Sequence, residues 1–175
     1  MKFTIFNGSP TKGDATHKMT SSIAEMLRAR GAEVNEYFLY FMTFKGMGCC
    51  NSLPDDELMK LIEEIETSHI TILATPVYRW NISGMLCAFI EAVLSFCKFN
   101  DDIAERIKGK KIALAMAADC ENEITRDAMR LVHTLCDYMK IECTQTLTIP
   151  FADKERIFED HCQKNISEFV ENIMK

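Results

Sequence analysis

The sequence has no clustered stripe of lysine or arginine. Its 20 Lys and Arg are outnumbered by 26 Asp and Glu, for a net charge of -6. A basic stripe is what a nucleic-acid or anionic-membrane surface requires, so the pattern argues against both partners. It leaves a small anionic ligand open, because a local nest of backbone N–H groups binds phosphate whatever the net charge. No apolar run is long enough to span a bilayer. Lys2 leads straight into a strand pattern, without the apolar h-region of a signal peptide. The expectation is a cytoplasmic chain with no membrane segment. In that compartment the 8 cysteines read as free thiols rather than as a disulfide framework. There is also no linker, no low-complexity tract and no internal repeat, so residues 1–175 are expected to form one domain.

What is present is an alternation. Strand-like runs occur at Phe3 to Asn7, Val34 to Leu39, Ile70 to Thr75, Lys111 to Ala117 and Cys143 to Ile149. The first, third and fourth are almost unbroken apolar runs, which suit parallel strands buried on both faces. The second and fifth alternate more, as edge strands do. Helical spacing fills the intervals: Thr16 to Arg30, Asp55 to Thr67, Ser83 to Lys98, Asn122 to Met139 and Lys154 to Met174. Strand–helix repeated five times predicts an α/β three-layer sandwich, with a five-stranded parallel sheet covered by helices on both faces. The flavodoxin-like order 2-1-3-4-5 is the leading choice. In that arrangement ligands sit at the carboxyl ends of the strands, so the informative loops follow Asn7, Thr75 and Ala117. Helix Ser83 to Lys98 is apolar nearly all round, so it either lies deep in the fold or packs on a second subunit.

The first loop reads GSPTKGDATHKM from Gly8. Gly8 permits a positive φ and close approach to the backbone. Ser9, Thr11 and Thr16 offer hydroxyls, and Lys12 and His17 offer positive charge, at the amino end of a helix. Neither GxxxxGK[ST] nor GxGxxG can be read here. Residue types alone leave two readings: a phosphate cradle, or a plain turn with Asp14 or Thr16 capping the helix. The second loop reads TPVYRWNISGMLCAFIE from Thr75. Pro76 is expected to end the third strand, and Asn81 or Ser83 to cap the following helix. Tyr78, Trp80 and Asn81 combine flat faces with hydrogen-bonding groups, which a flat ring ligand needs but which packing over a sheet end also explains.

These two stretches resemble the NADPH-dependent FMN reductase and iron-sulfur flavoprotein-like family. GSPTKGDATHKM is similar to that family's GSPR-x-x-GNT loop. TPVYRWNISGMLCAFIE is similar to its TPVYW-x-x-x-S-x-x-L-K-A-F-I-D-R signature. The resemblance implies that Ser9, Thr11, Thr16 and His17 hold an FMN phosphate. It further implies that Pro76, Val77, Tyr78, Trp80, Asn81 and Ser83 frame the ring, with Asp119 and Cys120 at its far edge. Thr11 stands where the family has Arg, and Asp14 stands at its Asn. The implied function is NAD(P)H-dependent reduction of a flavin, quinone or similar small acceptor, carried out by a homodimer. An electron-transfer flavoprotein without its own NAD(P)H turnover is the alternative. The redox chemistry would belong to the flavin, so no catalytic side chain is assigned.

Two further cysteine features remain. Cys49 and Cys50 are adjacent, whereas four thiolates are needed for a cubane cluster, so neither a cluster nor a zinc site is expected. A redox role for these loop thiols stays open. Cys120 and Arg126 have the C-x5-R spacing of tyrosine phosphatases. The intervening Glu121 and Glu123 would repel phosphate and raise the thiol pKa, so chance spacing is the better account.

Overall fold

The computed structural model describes residues 1–42, 44, 56–118, 123–150 and 160–175, with the backbone alone at residue 124. Cys49, Cys50, Asp55, Asp119, Cys120 and the first residues expected of the last helix lie outside the described residues.

The described residues hold six strands: β1 (Lys2–Asn7), β2 (Glu33–Phe38), β3 (Ile70–Tyr78), β4 (Asn81–Ile82), β5 (Lys111–Ala118) and β6 (Glu142–Pro150). Five of them form the parallel sheet in the order β2-β1-β3-β5-β6, while β4 pairs antiparallel with the end of β3. Without β4 this is the expected order 2-1-3-4-5. β2 and β6 are the edges of the parallel sheet, which is why their sequences alternate. Helices α1 (Ala15–Ala29), α2 (Asp56–Thr67), α3 (Gly84–Lys98), α4 (Asp101–Ile107), α5 (Glu123–Met139) and α6 (Asp160–Ile173) cover it. A short 3-10 helix, Leu39–Phe41, takes up Leu39, which was expected to end the second strand.

Period-two alternation sorts the central strands onto two cores. Phe3, Ile5, Ile72, Ala74, Ala113, Ala115 and Ala117 face α1 and α6. Phe6, Leu73, Ile112, Leu114 and Met116 face α2, α3, α4 and α5. The alanines of β5 keep one face shallow, and α1 packs close over it.

Helix α3 buries one face in the fold, while Met85, Cys87, Ile90, Leu94 and Phe96 stay half-buried. Leu86, Phe89, Val93 and Cys97 are buried in the second core, and α2, α4 and the 3-10 helix pack against the helix. Pro76 does not end its strand. β3 runs on to Tyr78, because Pro76 lies past the last residue of β3 paired to β1, where a missing N–H breaks no ladder on that side.

Candidate functional site

The carboxyl ends of the adjacent strands β1, β3 and β5 lie together at one end of the sheet, and the loops after β1 and β3 start there. Asn7 registers with Ala74, and Pro76 with Ala117. The switch in strand order falls between β1 and β3, where open α/β sheets bind ligands.

The first loop is closed by its own hydrogen bonds. The Ser9 amide donates to Asn7 Oδ1 at 2.8 Å, and Asn7 Nδ2 donates to Thr20 Oγ1 at 3.1 Å. The Ser9 hydroxyl donates to Asp14 Oδ2 and accepts from the Thr11 amide at 3.1 Å. Asp14, rather than Thr16, is the N-cap of α1: its Oδ1 accepts from the His17 amide at 2.9 Å. The His17 Nδ1 accepts from the Gly13 amide at 2.8 Å, and its ring packs edge-on against Phe38. His17 Nδ1 is thus taken up within the loop, and the ring serves here as a brace for the turn. Gly13, with φ 78°, takes the left-handed conformation the turn requires. Thr16 sits in the first turn of α1 with 0% exposure, and its Oγ1 has no hydrogen-bond partner.

Gly8 has a different role from the expected one. It is absent from the positive-φ glycines, and what approaches its backbone closely is helix α3. A Cβ there would stand 2.8 Å from Leu86 Cβ and 2.9 Å from Ser83 Oγ. The Ser83 hydroxyl donates to the Gly8 carbonyl at 2.6 Å and accepts from the Leu86 amide at 3.2 Å, capping α3. The Ser83 amide in turn donates to Thr75 Oγ1 at 2.9 Å. One serine therefore ties the two loops together. The link between Gly8 and Ser83 spans 75 residues of sequence, and only the sheet order reveals it.

The second loop is a two-residue hairpin. Val77 pairs with Ile82 and Tyr78 with Asn81, leaving Arg79 and Trp80 at the tip. Arg79 has φ 59°, a conformation that usually selects glycine, so the hairpin is strained there. Trp80 is 62% exposed and Tyr78 43% exposed. Burial, and then the Asp14 carboxylate of the first loop, push the Tyr78 phenol above its ordinary pKa. Asn81 does not cap α3; its Oδ1 accepts from the neighbouring Ile82 amide at 2.8 Å. Pro76 and Val77, which lead into the hairpin, are buried, and Val77 forms its first pair with Ile82.

Ser9, Asp14, Thr16, His17, Tyr78 and Ser83 thus gather at one end of the sheet, with Thr11 exposed on the first loop. β5 delivers the buried Ala117 and Ala118 to the same end, and Asp119 and Cys120, next along the chain, lie outside the described residues. Arg126 is exposed on α5. Burial raises the thiol of Cys97 to about 11, and burial followed by Glu91 raises that of Cys87, so neither is a ready nucleophile. Among the described residues no group of three His, Cys, Asp or Glu is placed to hold a metal, and no helix is long and apolar enough to cross a membrane. Sequence reasoning missed Thr75 and the second role of Ser83, because a hydroxyl that links distant loops leaves no local pattern.

Comparison with known proteins defines the class. The family model of NADPH-dependent FMN reductase matches residues 1–152, and the chain belongs to that family. A curated relative, the iron-sulfur flavoprotein of Methanosarcina thermophila, is 29% identical over 98 residues, covering 52% of this chain and 51% of the relative. The chain thus matches about half the length of that protein. Among solved structures, a putative quinone reductase from Klebsiella pneumoniae superposes with a TM-score of 0.79 at 14% identity, covering 100% of this chain and 85% of the other. An FMN-dependent NADH-azoreductase from Bacillus anthracis, in complex with FMN, gives 0.73 at 11% identity over 100% of both chains. These structural likenesses establish the flavodoxin-like fold.

Proposed function

We propose that this protein is an FMN-binding oxidoreductase that uses NAD(P)H to reduce a flavin, a quinone or a similar small acceptor. Within a chain of the FMN reductase family, the observation that carries this reading is Thr16. Its buried hydroxyl lacks a partner in the first turn of a helix, where the dipole favours an anion. A buried hydroxyl left unpaired costs about 1–3 kcal/mol, and a phosphate oxygen is a fitting acceptor for it. The residues present therefore fit the group.

Thr16, with Ser9, Thr11 and the amides around His17, would hold the phosphate. Tyr78, Trp80 and Asn81 would frame the ring above Pro76 and Val77, with Ser83 fixing the distance between the two loops. Asp119 and Cys120 would border the far edge. When bound, FMN supplies the capacity to accept a hydride and pass electrons on, while the chain supplies position and electrostatics. We further propose a single domain working in the cytoplasm, as its composition suggests, and a homodimer, as the family resemblance implies.

The test is an absorption spectrum and fluorescence titration of the purified protein with FMN, followed by NAD(P)H oxidation with a quinone. Retained flavin bands or quenching, with rapid NAD(P)H turnover, are the expected result. Absence of flavin bands and of quenching rejects the reading. Flavin reduced only by a protein donor favours an electron shuttle. Light scattering at micromolar concentration is expected to give about twice the chain mass of 20.0 kDa.

A further inference from the structure

We propose that Asp14 sets which flavin the site prefers: its buried carboxylate acts as an internal anion that weakens binding of the phosphorylated flavin relative to riboflavin. The inference rests on the flavin reading above and goes beyond it.

Asp14 is only 5% exposed. It accepts from the Ser9 hydroxyl and the His17 amide, two of the donors that a phosphate at this loop would use. Two more are turned inward: the Thr11 amide to Ser9 Oγ, and the Gly13 amide to His17 Nδ1. The loop is thus already organised around one negative charge. Thr16 Oγ1 is the buried donor left over. An anion held in the first turn of α1 lies within about one helical turn, ~5 Å, of the N-cap carboxylate. The incoming phosphate must tolerate a like charge at that distance or draw Ser9 and His17 away from Asp14.

Compensating charge is weak. His17 Nδ1 is occupied by the Gly13 amide, Thr11 is uncharged, and Lys12 is an exposed side chain whose interactions solvent screens. Riboflavin lacks the phosphate and meets none of this repulsion. The site is therefore built to hold FMN loosely, with the balance between the two flavins shifted toward riboflavin.

The experiment measures dissociation constants of FMN and riboflavin by fluorescence quenching, for the native protein and for Asp14→Asn. Asparagine is as good an N-cap as aspartate, so helix α1 and the fold are retained. Asp14→Ser, a second capping residue, guards against an effect peculiar to asparagine. Removal of the charge is expected to tighten FMN ~10- to 100-fold, the scale of one nearby like charge. Riboflavin affinity is expected to change less than about threefold. An FMN-to-riboflavin ratio unchanged in both variants, or shifted toward riboflavin, overturns the proposal while leaving the flavin site standing. Failure of both flavins to bind any of the three proteins overturns the flavin reading and this proposal with it.

Discussion

At the scale of single residues, Thr16 and Ser83 call for opposite behaviour on mutation. The Thr16 hydroxyl is buried without a partner, so Thr16→Val removes a desolvation cost in the flavin-free protein. The expected outcome in urea unfolding is a neutral effect or a gain of about 1 kcal/mol. FMN binding is expected to weaken by roughly 3- to 10-fold, the worth of about one hydrogen bond. A residue present for stability alone would lose on the first measurement and change nothing on the second. Ser83 is satisfied at both ends, between Leu86 and Gly8. Ser83→Ala removes a helix cap and leaves the buried Gly8 carbonyl without its donor. A loss of about 1–3 kcal/mol in the same assay is expected.

At the scale of elements, Glu64 shows how α2 is fastened to the sheet. Its carboxylate accepts from Thr4 Oγ1 at 2.8 Å and Asn35 Nδ2 at 3.0 Å, and pairs with Lys2 Nζ at 3.1 Å, joining β1 and β2. Burial works to raise its pKa, but the bonds from Asn35, Thr4 and Lys2 outweigh burial and hold it below the ordinary glutamate value. A carboxylate with a lowered folded pKa contributes stability that is fully present above its unfolded value of about 4.3. That contribution is lost as the pH falls through the folded value. Urea midpoints measured between pH 7 and pH 3 should therefore fall in acid, and Glu64→Gln should flatten that fall. The long elements were legible because burial writes periodicity into them: unbroken apolar runs for β1, β3 and β5, helical stripes for α1, α2 and α5. β4 and α4 were not. β4 has two residues and exists only through its pairing with β3, across a turn that holds Arg79 at positive φ without the usual glycine. α4, at 7 residues, is far shorter than a helix stable on its own. The buried Ile103 and Ile107 and the Arg106–Glu66 ion pair to α2 hold it in place.

At the scale of the whole molecule, the site is a product of sheet order. Ser9 and Thr16 were legible as a loop before a helix, and Tyr78 and Trp80 as an aromatic cluster. That the two loops meet follows from β1 lying beside β3, the placement that the strand–helix alternation and the expected order 2-1-3-4-5 already carried. The same geometry makes ligand binding a global event, since the first loop is fastened to α1 and the second caps α3. A ligand that binds only when the β1 and β3 loops are adjacent stabilises the folded chain by mass action. At a free FMN concentration 100 times its dissociation constant, the gain is about 2.7 kcal/mol. For a chain of this size, each kcal/mol moves the melting temperature by about 2–4 °C, so a rise of roughly 5–11 °C is expected. The rise should be smaller in Thr16→Val at the same FMN concentration, because the dissociation constant has grown, and larger in Asp14→Asn. A melting temperature that ignores FMN in all three proteins would mean that the loops are adjacent for structural reasons alone.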